Sequence, residues 1–211
     1  MDGLIVDSEP LWQKAEIEIF ATVGIELTVE KCRQTMGLRI DEVVKHWYGQ
    51  QPWSLEEYSL KKLEDDVVAG VAKLIHSEGT LLPGVKESLE FFADGPYKLA
   101  IASSSKMVLI EAVKQKFGLH QFSLLCSAEN EKYGKPHPGI FLTTADKLGV
   151  KPTQCLVFED SLSGVIAAKA ARMICVFVPN ADSNMNAGAI ADYTLQSLNE
   201  VSEQGLPGLL S

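Results

Sequence analysis

The chain has 211 residues, 46% of them hydrophobic and 22% charged, with a net charge of −9. That is enough apolar material for one principal core and a smaller satellite, and it excludes disordered, collagen-like and coiled-coil classes. The acidic balance leaves no basic excess for gripping a nucleic-acid backbone, so no nucleic-acid partner is expected. A small anion is still admissible, because a few local cations and one metal ion can reverse the potential inside a cleft.

Residues 1–10 form a short leading piece, and residues 11–77 read as almost entirely helical. Within them Ser54-Leu55-Glu56-Glu57 has the form of a capping box. Leu55, Tyr58, Leu63, Val67, Val71, Leu74 and Ile75 then recur mostly at three- and four-residue spacings, a stripe that predicts core packing. From Leu82 onward helices and strands alternate. Pro83-Gly84 opens a helix over 85–93. An apolar run over 98–102 stops at three serines, and a helix follows over 107–117. A second run covers 122–126. Pro138 opens the next helix, at a first-turn position where its missing N–H costs little, and Leu148-Gly149 closes it. Further runs cover 154–158 and 173–178, with a helix over 164–171 between them. Short continuous apolar runs mark strands buried on both faces. The expected fold is therefore α/β, a doubly wound (Rossmann-like) parallel sheet core over 1–10 and 78–211, with 11–77 as a helical cap inserted after the first motif.

Cys32, Cys126, Cys155 and Cys175 form no CxxC pair and are expected as reduced, mostly buried thiols, which points to a reducing, cytoplasmic compartment. No run reaches the ~20 apolar residues of a membrane span. No basic region followed by an apolar run opens the chain, so neither a membrane nor a signal peptide is expected.

Polar residues follow three of the apolar runs. Ser103 follows the first, Lys135 comes a few residues after the second, and Glu159-Asp160 directly follows the third. Taken singly, each has a plain explanation: a serine caps a helix, a lysine is solvated, paired acids complement a helix dipole. Jointly they fall at strand ends, where open parallel sheets bind ligands. A hydroxyl, an ammonium and two carboxylates at one edge suit a phosphate with a hard cation.

The order of these segments resembles a known family. Asp2-Gly3-Leu4-Ile5-Val6-Asp7-Ser8-Glu9-Pro10, Ala102-Ser103-Ser104-Ser105-Lys106, Gly134-Lys135-Pro136-His137-Pro138 and Phe158-Glu159-Asp160-Ser161 resemble the four motifs of haloacid dehalogenase phosphotransferases. The subgroup is the one with an inserted helical cap, which holds β-phosphoglucomutase and small sugar phosphatases. Thr35-Met36-Gly37-Leu38-Arg39, Trp47-Tyr48 and Gln51-Pro52-Trp53 are similar to 2-deoxyglucose-6-phosphate and hexitol phosphatases.

The resemblance implies Mg²⁺-dependent hydrolysis of a small sugar or sugar-alcohol monophosphate through a phospho-aspartyl intermediate, by a monomer. Asp2 matches the general acid/base, and its main-chain carbonyl matches a metal ligand. Ser103 matches the hydroxyl that binds a phosphoryl oxygen, with Ser104, Ser105 and Lys106 extending that site. Lys135 matches the lysine that neutralises charge between nucleophile and phosphate. Asp160 matches the direct Mg²⁺ ligand and Glu159 its support. Arg39 matches a sugar-contacting cap position, against the alternative of a surface arginine, and His137 matches a structural position. A β-phosphoglucomutase-like phosphomutase and an inactive sugar-phosphate-binding relative are the alternatives.

The family's first motif places the nucleophilic aspartate directly before Met1, at the end of an apolar strand. Asp7 lies past Gly3 and is not expected to replace it. The sequence as written is therefore expected to be truncated at its start and inactive. The activity would then belong to the full-length parent, and two neighbouring strands would lack a ladder partner.

Overall fold

The computed structural model describes residues 1–181 and 183–204. Four helices come first: α1 (Glu9–Ala21), α2 (Val29–Gln34), α3 (Ile40–Gln50) and α4 (Leu60–Glu78). Then follow α5 (Val85–Ala93), β1 (Leu99–Ser103), α6 (Met107–Phe117), β2 (Phe122–Ser127) and α7 (Gly139–Leu148). The chain continues through β3 (Leu156–Glu159), α8 (Leu162–Ala170), β4 (Ile174–Phe177), β5 (Tyr193–Thr194) and α9 (Asn199–Gln204).

α4 shows how its sequence sets its place. Leu63, Val67, Val71 and Ile75 recur every four residues and are fully buried, so one face of the helix is continuous hydrocarbon. That face packs α4 against α1, α3 and α6. The helix starts later than the Ser54 pattern predicts. Ser59 is the N-cap, its hydroxyl accepting from Lys62 N–H at 3.2 Å. Residues 55–57 form a turn instead, because the Trp53 indole donates to the Tyr58 carbonyl at 2.7 Å and ties the segment into a loop. Leu55 consequently leaves the stripe and is exposed.

Among the described residues the named strands pair in parallel, and an isolated antiparallel bridge joins Val6 to Leu81. β1 pairs with β2, Ile101 opposite Leu125, while β3 pairs with β4 and β4 with β5, Val157 opposite Cys175. Among the described residues no ladder joins the two sets, yet the ends of β1 and β3 are close, since the Lys135 ammonium reaches both the Ala102 carbonyl and Glu159. Residues 1–6 coil beside those ends, with the Met1 carbonyl accepting from Ile5 N–H at 2.8 Å. α5, α6 and α9 contribute to one apolar cluster, which also takes in α1, α3 and α4, and α7 and α8 contribute to a second. Helices thus cover both faces, as doubly wound sheets require. β5 and α9 lie beyond the elements expected from sequence. Cys32, Cys126 and Cys175 are buried, Cys155 is partly exposed, and all four are free. No helix among the described residues is long and apolar enough to cross a membrane.

The entry to α5 illustrates a backbone constraint. Gly84 has φ +83°, and a Cβ there would overlap the main chain of Leu198 and Asn199 at the start of α9. The nearby Ser88 hydroxyl donates to the Leu198 carbonyl at 2.8 Å. Gly84→Ala is expected to destabilise the protein by at least about 1–3 kcal/mol, from the left-handed conformation alone, measured by urea unfolding.

Candidate active site

The carboxyl ends of β1, β3 and β4 open onto a cavity of about 380 Å³, whose far wall is α1 and the connection from α2 to α3. This lies within the usual size range of small-molecule sites. Ser103 ends β1 and is followed by Ser104 and Ser105, Lys135 comes from the loop after β2, and Glu159-Asp160 end β3. Asp2 and Gly3 enter from the leading loop. The residues expected at the phosphate and metal therefore do converge, Lys106 and Arg39 excepted.

Asp2 is held on both oxygens. Its Oδ1 accepts from the Ser8 hydroxyl at 2.7 Å and the Trp12 indole at 3.2 Å, and its Oδ2 from the Ser105 hydroxyl at 2.6 Å. Hydrogen bonds to an ionised acceptor are the strong kind, so the carboxylate is fixed in direction before any ligand arrives. Ser105 is spent on this task, which differs from its expected part in phosphate binding. Ser103 is buried, and its oxygen accepts from Ser105 N–H at 3.2 Å. Its own hydroxyl proton has no acceptor among the described residues.

Lys135 is only 8% exposed. It donates to Glu159 and to the Ala102 carbonyl, and lies 4.7 Å from the centre of the Phe141 ring. Glu159 Oε2 also accepts from Asp160 N–H, Ser161 N–H and the Ser161 hydroxyl at 3.0–3.3 Å. Burial alone would raise the pKa of Glu159, but the charges of Lys135 and the N-terminal ammonium outweigh it and hold it below the usual carboxylate value. Asp160 goes the other way. Burial and the neighbouring Glu159 charge raise it to about 7, only partly offset by the same two cations.

Asn180 and Ser183, past the end of β4, complete this wall. The Asn180 amide donates to Asp160 Oδ2 at 2.9 Å and to the Gly3 carbonyl at 3.1 Å, and the Ser183 hydroxyl to the Asp160 carbonyl at 2.6 Å. Gly3 has φ +67°, and a Cβ there would overlap the Asp160 carboxyl and the Asn180 amide. Only glycine lets the Asp2–Gly3 peptide lie this close to Asp160. Among the described residues no three His, Cys, Asp or Glu side chains form a metal cluster. Mg²⁺ does not need one, since it is usually held by one or two carboxylates together with substrate phosphate. The hard-oxygen set here fits that pattern.

Arg39 and Lys106 depart from expectation. The Arg39 guanidinium donates to the carbonyls of Ala128 and Glu131 at 3.3 and 3.0 Å and pairs with Asp41 at 3.3 Å, and it is not part of the cavity wall. Lys106 pairs with Glu64 and Asp65 of α4. Both cations join the leading helices to the α/β body instead of facing a ligand, because fixed carbonyls and carboxylates lie within their reach on the other side. His137 Nδ1 accepts from Gly139 N–H at 3.1 Å, a loop contact. Asp7 is exposed and outside the cavity.

Sequence reasoning missed Asn180, Ser183, Ser8, Trp12 and Glu16. The first two follow the apolar run 173–178, so the strand-end rule applied once more would have found them. Glu9, Trp12 and Glu16 stand three and four residues apart on α1 and line one wall of the cavity.

The model of the haloacid dehalogenase-like hydrolase family matches residues 1–178. The chain belongs to that family. It is 40% identical over 211 residues to hexitol phosphatase B of Escherichia coli K12, covering 99% of this chain and 94% of that protein. It is 31% identical to the phosphorylated carbohydrates phosphatase of Thermotoga maritima, covering 90% of each. The crystal structure of CbbY from Rhodobacter sphaeroides in complex with phosphate superposes with a TM-score of 0.90 at 25% identity, covering 99% of this chain and 96% of that one.

Glu16 is 7% exposed. Burial raises its pKa from 4.5 to about 7, Glu9 adding to the rise and a hydrogen bond with the Cys32 thiol opposing it. Between those pH values the folded state holds more proton than the unfolded chain, so stability falls as pH rises through that window and stays lower above it. A change of this size is worth about 3 kcal/mol. Glu16→Gln is expected to stabilise the protein by up to about that amount at pH 8 and to change it little at pH 4, which urea unfolding at both pH values checks.

Proposed function

We propose that this site hydrolyses monophosphates of small sugars or sugar alcohols with Mg²⁺ as cofactor. The observation that carries the reading is Asp2, a carboxylate oriented by three donors at the mouth of a cavity that also holds Ser103, Lys135 and Asp160. The names of the relatives supply the substrate class.

In this reading Ser103 and Ser104 donate to phosphoryl oxygens, and Lys135, between the ends of β1 and β3, neutralises charge on the transferring group. In the family's motif the attacking carboxylate stands two positions before the residue that Asp2 matches. Asp2 protonates the departing alkoxide oxygen and then takes a proton from the water that cleaves the acyl phosphate. Asp160 and the main-chain carbonyl of Asp2 would hold Mg²⁺, with Glu159 supporting them. When bound, that ion supplies charge neutralisation at the phosphoryl oxygens. Phosphoryl transfer depends mostly on positioning and electrostatics, and a preset Asp2 and Lys135 provide both. The same reading carries a cytoplasmic monomer with reduced thiols.

Phosphate release from sorbitol 6-phosphate, glucose 6-phosphate and 2-deoxyglucose 6-phosphate tests it, on the 211-residue chain and on one extended by an apolar segment ending in aspartate before Met1. The extended protein is expected to release phosphate with Mg²⁺ and not after chelation, with Asp2→Asn lowering kcat by about 10²–10⁴. No release from any of these esters overturns the proposal.

A further inference from the structure

The cavity has two chemically different ends. At the sheet end Lys135 stands with Ser103 and the carboxyls of Asp2, Glu159 and Asp160, the set that would take the phosphoryl group and its cation. At the α1 end the wall is Trp12, Glu16, Cys32, Met36, Leu38 and Val43. Among the described residues no lysine, arginine or histidine lines that end, because Arg39 is turned to the Ala128 and Glu131 carbonyls.

Glu16 is a buried carboxyl on this wall. Its hydrogen-bonding partner among the described residues is the Cys32 thiol, a weak donor that leaves most of the acceptor capacity of a carboxyl unused. Four residues at about 1.5 Å rise set Glu16 about 6 Å further along α1 than Trp12, and Trp12 is bonded to Asp2. The carboxyl therefore looks into the cavity beyond the reacting end, where the carbon chain of a bound phosphate ester would run. A buried carboxyl that lines a ligand cavity and has acceptor capacity to spare is placed to serve the ligand.

Resting on the phosphatase reading above, we infer that Glu16 is a specificity residue, which accepts hydrogen bonds from the hydroxyls of a polyol monophosphate and repels a second phosphoryl group. The site thereby takes sugar-alcohol monophosphates and refuses bisphosphates, which separates it from a mutase that must hold two phosphoryl groups.

Calorimetric titration of the 211-residue chain at pH 8, where Glu16 is ionised, with Mg²⁺ present, tests this with sorbitol 6-phosphate, ethyl phosphate and fructose 1,6-bisphosphate. The wild type is expected to bind sorbitol 6-phosphate roughly tenfold more tightly than ethyl phosphate, the worth of one hydrogen bond to a charged group. Glu16→Leu is expected to abolish that preference and leave ethyl phosphate binding within about twofold. Glu16→Gln is expected to strengthen bisphosphate binding. A Glu16→Leu protein that keeps the preference overturns the inference and leaves the phosphatase reading standing. A wild type with no preference likewise overturns the inference alone, and one that binds neither monophosphate removes both. Should Glu16→Leu lose ethyl phosphate as well, the nearly isosteric Glu16→Gln decides: bisphosphate binding no stronger than wild type overturns the inference.

Discussion

The Lys135 ammonium sits between the ends of two strands that share no ladder, and the rest of the site is arranged around it. It meets the Ala102 carbonyl on one side and Glu159 on the other. Burying either charge alone would cost several kcal/mol. The cost is offset because Glu159 also collects two main-chain N–H groups and the Ser161 hydroxyl. The pair contributes position more than stability. It sets Ser103 and Asp160 at a fixed separation across the gap between β1 and β3. Burial and then the neighbouring Glu159 charge raise the pKa of Asp160, while the charge of Lys135 leads those that hold Glu159 down. Two adjacent acids are thus divided by environment into a structural group and one ready for a cation.

A second constraint ties α1 to the chemistry. Ser8 precedes α1 and Trp12 lies in its first turns, and both bond Asp2 Oδ1. The direction of the acid/base and the position of the helix wall are therefore one quantity. Glu16 stands on the same face, so the distance from the reacting end to the far carboxyl is set by helical rise and not by a loop. A rigid element gives better positional precision than a loop could.

Much of this was legible from residue order, and the failures have identifiable causes. β1 to β4 were readable because both faces of each strand are covered, which leaves continuous apolar runs. β5 was not, because Tyr193 and Thr194 are exposed and pair only with the edge of β4. Asp2, Ser103, Lys135, Glu159 and Asp160 were readable because each falls at or just beyond a strand end or a motif. Arg39 and Lys106 were misplaced because a long flexible side chain goes to whichever acceptors lie within reach, and no local pattern records that Ala128, Glu131 and Glu64 would be there. The Ser54 capping pattern failed to a contact of the same kind, between Trp53 and the Tyr58 carbonyl.

The use made of those two cations shapes the cavity. Had Arg39 turned inward, the α1 end would carry a positive charge opposite Glu16, and the two would neutralise each other at short range. Turned outward, Arg39 and Lys106 hold the leading helices against the body, at contacts with Ala128, Glu131, Glu64 and Asp65. The cavity keeps Lys135, the serine hydroxyls and the carboxyls that would hold a cation at one end, and Glu16 at the other, an asymmetry of field that acts strongly in a cleft. A ligand with one anionic terminus and a neutral hydroxylated body matches that field in one orientation only. The same outward-turned side chains that close the helices over the site therefore also orient what it can hold.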